Sequence, residues 1–235
     1  MKKVIIGLVS KHREIDNVRT FTYISDEMKN AIFENGAIAI GIIPPCNKII
    51  LIDQNNETEI YSNINSILTE QDQENLIAQI SLCDGVILSG GRESDAYEMW
   101  IAKYCYEKNI PIIGICAGHN NLVRGIGGTT KRVPRPEIHS QSNKEYVHSI
   151  TIDNNSQFFQ ILNVEKMYVN SRHKNTIGDC KFLSIAAYDE FGNIEVTEDK
   201  SKKCFLGMRF HPESLYQKDQ LHNTIFSKFI EICSK

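Results

Sequence analysis

The segment from Ile112 to Gly118, Ile-Ile-Gly-Ile-Cys-Ala-Gly, constrains the fold of this 235-residue chain most. Its apolar run predicts a buried strand, and the small residues that follow predict a sharp turn into a helix. Such a turn has no room for large neighbours, a need that Gly114 and Gly118 meet on either side of Cys116. The pattern therefore predicts a nucleophile elbow, with Cys116 at a helix N-terminus that favours its thiolate.

A second motif, far downstream, supplies the partners that a cysteine nucleophile needs. It reads Gly-Met-Arg-Phe-His-Pro-Glu-Ser over residues 207–214. In an extended segment the side chains of His211 and Glu213 would leave the same face, and Pro212 favours that geometry. A carboxylate beside an imidazole holds its tautomer, and the imidazole can then transfer the proton of the thiol. We therefore predict a catalytic triad of Cys116, His211 and Glu213.

Strand-like and helix-like segments alternate through the first half of the chain. The predicted strands are Val4–Ser10, Ala37–Ile43, Gly85–Leu88 and Ile112–Ile115. The predicted helices are one that carries Phe21, Ile24, Met28 and Ile32 and stops at Asn35-Gly36, one capped by Thr69, and one over Ser94–Lys108. This order predicts a parallel sheet with helices on both faces and functional sites beyond the carboxyl ends of its strands.

The second half of the chain changes to short strands with tighter turns. These strands are predicted at Tyr146–Ile152, Met167–Ser171, Phe182–Ala187, Ile194–Thr197 and Phe205–Phe210. A hairpin turn is expected at Asp189–Asn193, and a final helix carries Leu221, Ile225, Phe229 and Ile232 on one face. We therefore expect antiparallel strands that extend the parallel core. The polar stretch Asn47–Asn65 is predicted to be a mobile loop near the strand ends.

Composition narrows the class of protein. A hydrophobic share of 41% in a chain of this length supports one α/β domain, so we expect a single domain over residues 1–235. The net charge is −3 and basic residues are spread out, which gives no nucleic-acid footprint. No apolar run reaches membrane-spanning length, and polar residues 10–14 end the first run too early for a signal peptide. We expect a cytoplasmic protein that binds neither nucleic acid nor membrane.

Cysteine and histidine spacing argues against a metal centre. The seven cysteines are widely separated and form no Cys-x-x-Cys pair, which argues against zinc-ribbon and redox motifs. Apart from Cys116 we expect free thiols that act as small core residues. No His-x-His or His-Glu-x-x-His spacing occurs, so the sequence predicts no metal site and no cofactor. His119 is expected to be a helix-surface or packing residue, and the histidines without a constellation are His12, His139, His148 and His222.

The two motifs together resemble those of the class I glutamine amidotransferase superfamily. The N-terminal strand, Leu88–Gly91, Val169–His173 and the hairpin from Ala187 to Val196 resemble its gamma-glutamyl hydrolase branch, peptidase family C26. This branch includes hydrolases of gamma-glutamyl-aminobutyrate. The resemblance extends from about residue 4 to the C-terminal helix. It implies a three-layer, flavodoxin-like α/β fold whose mostly parallel central sheet has helices on both faces and an antiparallel extension.

The resemblance also implies roles for residues around the triad. The oxyanion hole would use the backbone N–H groups of Ala117, directly after the nucleophile, and of Gly91 in the glycine turn. Substrate contacts would come from Gly90, Ser171, His173 and Asn120.

The chain departs from the branch around its expected pocket. Asn120 and Asn175 stand where glutamine is usual. The long loop that normally follows the glycine turn is missing or very short, because Gly91 leads directly into the charged segment 92–98. Arg92, Glu93 and Asp95 of this segment are either a solvated helix start or a charged rim, and both interpretations stay open. We expect the leaving-group side of the pocket to be open.

These observations lead to a function and to its alternatives. We expect hydrolysis of small-molecule gamma-glutamyl amides through a gamma-glutamyl thioester on Cys116, with a homodimer allowed for. The nearest alternative is a glutaminase subunit that supplies ammonia to a synthetase partner, which differs in leaving group and partner dependence. A catalytically silent binding protein of the same fold is disfavoured by the intact triad. A redox or glyoxalase-like cysteine protein is disfavoured by the late His-Glu pair.

Overall fold

The computed structural model describes residues 3–15, 19–44, 50–91 and 94–235, in which helices flank a large central sheet. The strands are β1 (Ile5–Val9), β2 (Lys11–Ile15), β3 (Arg19–Tyr23), β4 (Ile38–Ile42), β5 (Gly85–Leu88), β6 (Ile112–Ile115), β7 (Thr130–Arg132), β8 (His148–Ile152), β9 (Lys166–Val169), β10 (Asn175–Ile177), β11 (Ser184–Asp189), β12 (Ile194–Glu198) and β13 (Phe205–Met208). The helices are α1 (Asp26–Glu34), α2 (Glu57–Ser62), α3 (Ile64–Ile67), α4 (Glu70–Ile80), α5 (Ala96–Lys108), α6 (Ala117–Gly125), α7 (Pro136–His139), α8 (Gln157–Leu162) and α9 (Gln220–Cys233).

The central sheet has a parallel half and an antiparallel half. Its strand order is β4-β1-β5-β6-β13-β12-β11-β8-β9. Neighbours from β4 to β13 pair in parallel. From β13 to β9 every neighbouring pair is antiparallel. The parallel half has the flavodoxin-like order, in which the first strand lies between the second and the third, so the predicted fold class is confirmed.

Two apolar clusters cover the two faces of this sheet. Side chains alternate across each strand, so Ile113 of β6 joins one cluster and Ile112 joins the other. The first cluster includes side chains of α1, α8 and α9, and the second includes side chains of α4, α5 and α6. The helices therefore form a layer on each face, and the central strands β5, β6 and β13 are buried on both sides.

The helix predicted around Phe21 is wrong in its first part. Residues 19–23 form β3, which pairs with β2 as an antiparallel hairpin. The run Arg-Thr-Phe-Thr-Tyr is rich in β-branched and aromatic residues, which favour a strand. The helix begins only at Asp26, where the Ser25 hydroxyl accepts a hydrogen bond from the Met28 amide.

The loop predicted at Asn47–Asn65 is largely helical where it is described. Residues 47–49 lie outside the described ranges, whereas most of the stretch from residue 57 onward belongs to α2 and α3. Buried Glu57 binds the Arg124 guanidinium at 2.8 Å, and Ile60 of α2 and Ile64 of α3 are also buried. The Glu57–Arg124 ion pair and two buried isoleucines thus hold this stretch in place, although its sequence is mostly polar. Every helix in the described ranges is too short or too polar to traverse a lipid bilayer.

Candidate active site

Cys116 lies at the turn between β6 and α6 in a strained backbone conformation. Its φ is 53° and its ψ is −104°, a region that residues with a Cβ rarely occupy. A Cβ on Gly118 would come within 2.0 Å of the Leu88 carbonyl oxygen, and one on Gly114 within 2.6 Å of the Gly118 carbonyl oxygen. The two glycines therefore let α6 press against the strands, and the predicted strand, sharp turn and helix are present.

His211 and Glu213 are in contact, but not in the extended segment that the sequence predicts. Strand β13 ends at Met208, and residues 212–214 form a turn of 3-10 helix. In this turn the Leu215 amide donates to the Pro212 carbonyl at 3.0 Å. The Nδ1 atom of His211 lies 2.7 Å from Oε1 of Glu213. A tight turn rather than strand alternation therefore brings the carboxylate to the imidazole.

Asn170 holds the backbone of the candidate base. Its Nδ2 group donates to the His211 carbonyl at 2.7 Å, and its Oδ1 atom accepts from the His211 amide at 2.7 Å. Asn170 follows β9, so this pair of hydrogen bonds ties the base to the antiparallel half of the sheet. The Val169–His173 motif pointed to this segment without indicating that its asparagine positions His211.

The His211 side chain favours the thiolate form of Cys116. Burial favours the neutral thiol, but the charge of His211 and its hydrogen bond outweigh burial and lower the pKa of Cys116 to about 7. Burial likewise opposes the imidazolium, but Glu213 and Cys116 raise the pKa of His211 to about 10. Between these values the pair is a thiolate and an imidazolium, the reactive form of a cysteine nucleophile.

A cavity of about 840 Å³ opens onto Cys116. Gly91 and Ala117, the predicted oxyanion donors, line it together with Asn120 and His173. The structure therefore brings these predicted residues to one space beside the nucleophile.

Gly90 lies directly against the triad. A Cβ on this residue would meet Cε1 of His211 at 2.6 Å and Cβ of Cys116 at 3.4 Å. A glycine at this position therefore lets the turn after β5 approach the side chains of both Cys116 and His211.

The predicted contacts from Ser171 and His173 differ in their surroundings. Ser171 is fully buried, is absent from the cavity wall, and donates its hydroxyl to the His139 carbonyl at 2.7 Å. The Nδ1 atom of His173 hydrogen-bonds the Asn175 carbonyl at 3.0 Å. Its Nε2 atom lies 3.2 Å from Oε1 of Glu195, in the buried interior. His173 thus reaches the cavity only in part, and Ser171 supports the wall from behind.

The sequence did not assign a role to Arg209, which joins several parts of the site. Its guanidinium is buried and donates to the Cys116 carbonyl at 2.9 Å and to the Asn175 carbonyl at 2.6 Å. It also donates to Oδ1 of Asn120. The signal that could have revealed it is a charged residue in the otherwise apolar run Phe-Leu-Gly-Met-Arg-Phe at the end of β13.

Basic side chains dominate the charged part of the cavity wall. Among the described residues of the wall, Asp53 is acidic, and the basic residues are Arg124, Arg132, Arg172, Lys174 and Arg209. The guanidinium of Arg124 is paired with Glu57, whereas Arg132 and Lys174 are exposed at the rim. The cavity therefore favours anionic ligands.

The side of the cavity next to Gly91 has a wall from another part of the chain. Leu51, Ile52 and Asp53 line it, and the Ile52 amide donates to the Ser94 carbonyl at 2.9 Å. Segment 50–53 therefore lies where the sequence analysis expects an open side. Arg92 and Glu93 lie outside the described residues.

Asp95, the third charge of that segment, is a helix cap. It is buried, and its side chain accepts from the Tyr97 amide at the N-terminus of α5.

The expectation that His139 and His148 belong to no constellation is wrong. Their side chains converge with His173 and Glu195 on a buried point, with one ligand-type atom from each within 4.8 Å of the others. Local spacing could not reveal this group, because its members come from α7, β8, the β9–β10 connection and β12. His119, by contrast, is the packing residue that was expected: it is buried, and its Nε2 lies 2.7 Å from the Thr197 hydroxyl.

Fold and site together define the class of protein. A flavodoxin-like sheet with a cysteine elbow and a His-Glu pair is the arrangement of class I glutamine amidotransferases, as the sequence resemblance implied. The family model of peptidase C26 matches residues 92–213, and the chain belongs to the peptidase C26 family. Membership implies hydrolase-type activity on the C–N bond of glutamine.

Similar proteins agree with this assignment, and a solved structure agrees with the fold. The chain is 29% identical over 156 residues to a glutamine-hydrolyzing GMP synthase subunit of Methanococcus aeolicus, with 63% of this chain and 73% of the relative covered. It is 30% identical over 153 residues to the corresponding subunit of Methanobrevibacter smithii, with 64% and 74% covered. The crystal structure of a glutamine amidotransferase from Thermotoga maritima superposes with a TM-score of 0.61 at 14% identity, covering 100% of both chains.

Proposed function

We propose that this protein hydrolyses gamma-glutamyl amides at Cys116 and releases glutamate and an amine. The observation that carries the proposal is geometric: Cys116 lies in a strained turn at the N-terminus of α6, its thiol is hydrogen-bonded to the His211 side chain, and Nδ1 of His211 lies 2.7 Å from Glu213. This arrangement provides a nucleophile, a proton carrier and an orienting carboxylate in one cavity.

The first half of the reaction forms a thioester. The Cys116 thiolate attacks the gamma-carbonyl carbon, and the carbonyl electrons move to oxygen. The backbone N–H groups of Ala117 and Gly91 are proposed to hold that oxyanion. The oxyanion then collapses, the C–N bond breaks, and the His211 imidazolium gives its proton to the departing amine.

The second half releases glutamate. Neutral His211 takes a proton from a water molecule, which attacks the thioester carbonyl and expels the Cys116 thiolate. Glu213 stabilises the imidazolium in both halves because its carboxylate stays on the Nδ1 side of the ring. Thiolate and imidazolium are thereby restored.

The glutamyl part is proposed to bind on the basic side of the cavity. Its alpha-carboxylate would be held near Arg172 and Lys174, whose charges line that wall. The amide of Asn120 would contact the acyl group, since Arg209 holds its Oδ1 atom. His173, Ser171 and Gly90 would shape the pocket rather than bind through free polar groups.

A second candidate is a glutaminase subunit that supplies ammonia to a synthetase. Two relatives are named as glutamine-hydrolyzing GMP synthase subunits, and these names favour the alternative. It uses the same cysteine chemistry but requires glutamine as substrate and a partner chain.

One experiment separates the two candidates. The purified chain alone is incubated with glutamine and with gamma-glutamyl amides of graded amine size, and released glutamate is measured. We expect release without a partner, and loss of release when the glutamyl part is replaced by aspartyl. Cys116→Ala serves as the inactive control, and Cys180→Ala, at a half-buried cysteine outside the cavity, serves as the matched active control. Release that occurs only from glutamine and only with a synthetase added would favour the second candidate.

A further inference from the structure

We propose that His139, His148, His173 and Glu195 form a structural site for a divalent transition metal, with Zn²⁺ as the expected ion. The site shares His173 with the cavity wall, but its ion would take no part in the proposed hydrolase chemistry. It lies in the antiparallel half of the sheet, and its ligands come from four segments that are distant in the sequence.

Unpartnered polar atoms are the first observation behind this proposal. All four side chains are nearly inaccessible to solvent, with exposed fractions of 1%, 2%, 3% and 0% in sequence order. Within the described residues, Nδ1 of His139, both ring nitrogens of His148, Nε2 of His173 and both carboxylate oxygens of Glu195 lack hydrogen-bond partners. Folded proteins rarely leave such atoms unsatisfied in a dry interior, and a charged group is the costliest to leave so.

The other buried carboxylates show that this fold normally satisfies such groups. Glu198, on the same strand as Glu195, accepts hydrogen bonds from the Gln157 and Phe158 amides at 2.8 and 2.9 Å. Glu57 binds both Arg124 and the Thr130 hydroxyl at 2.8 Å. Glu195 is therefore exceptional among these carboxylates, and a divalent cation would compensate its charge in a way that a water molecule could not.

The distances suit a metal after a small contraction. Nε2 of His173 lies 3.2 Å from Oε1 of Glu195, and Nε2 of His148 lies 4.0 Å from the same oxygen. A tetrahedral ion with bonds of about 2.0–2.1 Å places its ligand atoms about 3.3 Å apart. Since one atom from each side chain already lies within 4.8 Å of the others, the site closes when these atoms approach one another by at most about 1.5 Å.

Supporting contacts orient two of the histidines. The Asn175 carbonyl holds Nδ1 of His173 at 3.0 Å, which fixes the proton on that atom and leaves Nε2 as a lone-pair donor. The Asp189 carboxylate lies 3.6 Å from Nε2 of His139, which leaves Nδ1 of that ring without a partner. A carboxylate or carbonyl behind a ligating imidazole is the usual second layer of a metal centre.

The donor set selects the ion and its role. Three imidazoles and one carboxylate favour Zn²⁺ and its neighbours in the transition series over Mg²⁺ or Ca²⁺, which prefer oxygen ligands. Four protein ligands without solvent access leave no open position for a substrate, as in structural sites. The ion would therefore tie α7, β8, β12 and the wall segment around Asn175 together.

The test measures metal in a chain that lacks the thiol of Cys116, the strongest zinc ligand beside the cavity. Cys116→Ala is expressed with zinc in the medium, and its metal content is determined by inductively coupled plasma mass spectrometry. We expect about one Zn²⁺ per chain. Removal by a chelator should lower the Tm by roughly 5–10 °C, the shift for loss of a ligand held at about 100 Kd in a chain of this size.

Two further variants in the same background locate the ion. His148→Gln should lose the zinc, whereas His222→Gln, at an equally buried histidine outside the cluster, should keep it. Zinc retained in His148→Gln, or lost equally from both variants, would overturn the proposal.

Cobalt provides a readout that does not depend on the folding of any cluster variant. Co²⁺ added to the metal-free Cys116→Ala chain should produce the intense visible bands of a tetrahedral nitrogen and oxygen site. If His148→Gln fails to fold, the cobalt spectrum of the Cys116→Ala chain decides whether the metal site exists. A chain that takes up neither zinc nor cobalt would overturn the proposal and leave the cluster as a proton-sharing network. Near-ultraviolet thiolate charge-transfer bands would also overturn it, because they would locate the ion at cysteines.

Discussion

The parallel and antiparallel halves of the central sheet position the two sides of the triad by different means. In the parallel half β5 and β6 are buried on both faces, and the position of Cys116 depends on close backbone approach at Gly114 and Gly118. In the antiparallel half polar groups are buried, and the position of His211 depends on two hydrogen bonds from Asn170. The comparison teaches that the proposed nucleophile is held by close packing and the proposed base by polar contacts.

This difference makes the two sides sensitive to different changes. A side chain added at a close-packed glycine must displace backbone, which shifts the whole elbow. A polar contact can be removed one bond at a time, at about 0.5–1.5 kcal/mol each. Strand β13 joins the halves, because it pairs in parallel with β6 and antiparallel with β12, and the base follows it directly.

The largest effect is expected from Cys116→Ala. Turnover should fall by at least ~10³-fold because the nucleophile is lost. The Tm should stay nearly unchanged, since the glycines rather than the thiol set the shape of the elbow. Initial rates and thermal unfolding measured on the same preparation check both parts.

Labelling offers a check on the same assignment. A glutamine-like electrophile should modify Cys116 and spare the other six cysteines, as read by peptide mass spectrometry. Even labelling over several cysteines would contradict the assignment of the nucleophile.

Glu213→Gln should have the next largest effect, a loss of ~10²-fold in kcat. The amide keeps an acceptor near Nδ1 of His211 but removes the charge that stabilises the imidazolium. His211→Asn should be more severe, because it removes the proton carrier itself. Steady-state kinetics of both variants test the order, and a Glu213→Gln enzyme as active as the unmodified chain would remove the carboxylate from the triad.

The pH dependence of the rate reports on the ionisation of both Cys116 and His211. The rate should rise about tenfold per pH unit up to about 7, where the Cys116 thiol ionises, and should fall above about 10, where the His211 imidazolium loses its proton. These limits belong to the coupled pair rather than to either residue alone. In Glu213→Gln the upper limb should move to lower pH, since that carboxylate raises the pKa of His211 against burial. An upper limb that stays in place would separate Glu213 from the base.

The smallest effect is expected from Asn170→Ala. Losing the two hydrogen bonds to the backbone of His211 should lower kcat about tenfold, the rate equivalent of about 1.4 kcal/mol, with little change in KM. Asn170→Asp should restore less than half of that loss, because it keeps the acceptor and removes the donor. A change in KM alone would place the role of Asn170 in substrate binding instead.

The sequence predicted the close-packed parallel half of the sheet better than the polar contacts of the antiparallel half. The bounds of β5 and β6 agree with the prediction. A strand that is buried on both faces has a continuous apolar sequence, which is easy to recognise. The segment around Phe21 misled because its apolar spacing suits a helix, whereas its alternating threonines suit a strand. The His-Glu pair was found through its motif, although its turn geometry was not.

Contacts between distant segments could not be predicted. The cluster of His139, His148, His173 and Glu195 forms only when the antiparallel strands pair, and no local spacing indicates it. The same holds for Arg209, whose three acceptors lie on different elements. Burial of polar groups is a property of the assembled fold, and hydropathy patterns describe only the apolar part of it.

The lowered pKa of the nucleophile has a consequence for handling the protein in air. Peroxide attacks thiolates, so among the described cysteines Cys116 is the one most readily oxidised to a sulfenic acid. Cys105 and Cys204 are protected, because burial raises the pKa of each and keeps it a neutral thiol. Aging of a preparation should therefore be selective: activity disappears while the other thiols stay reduced, and early treatment with a reductant brings it back.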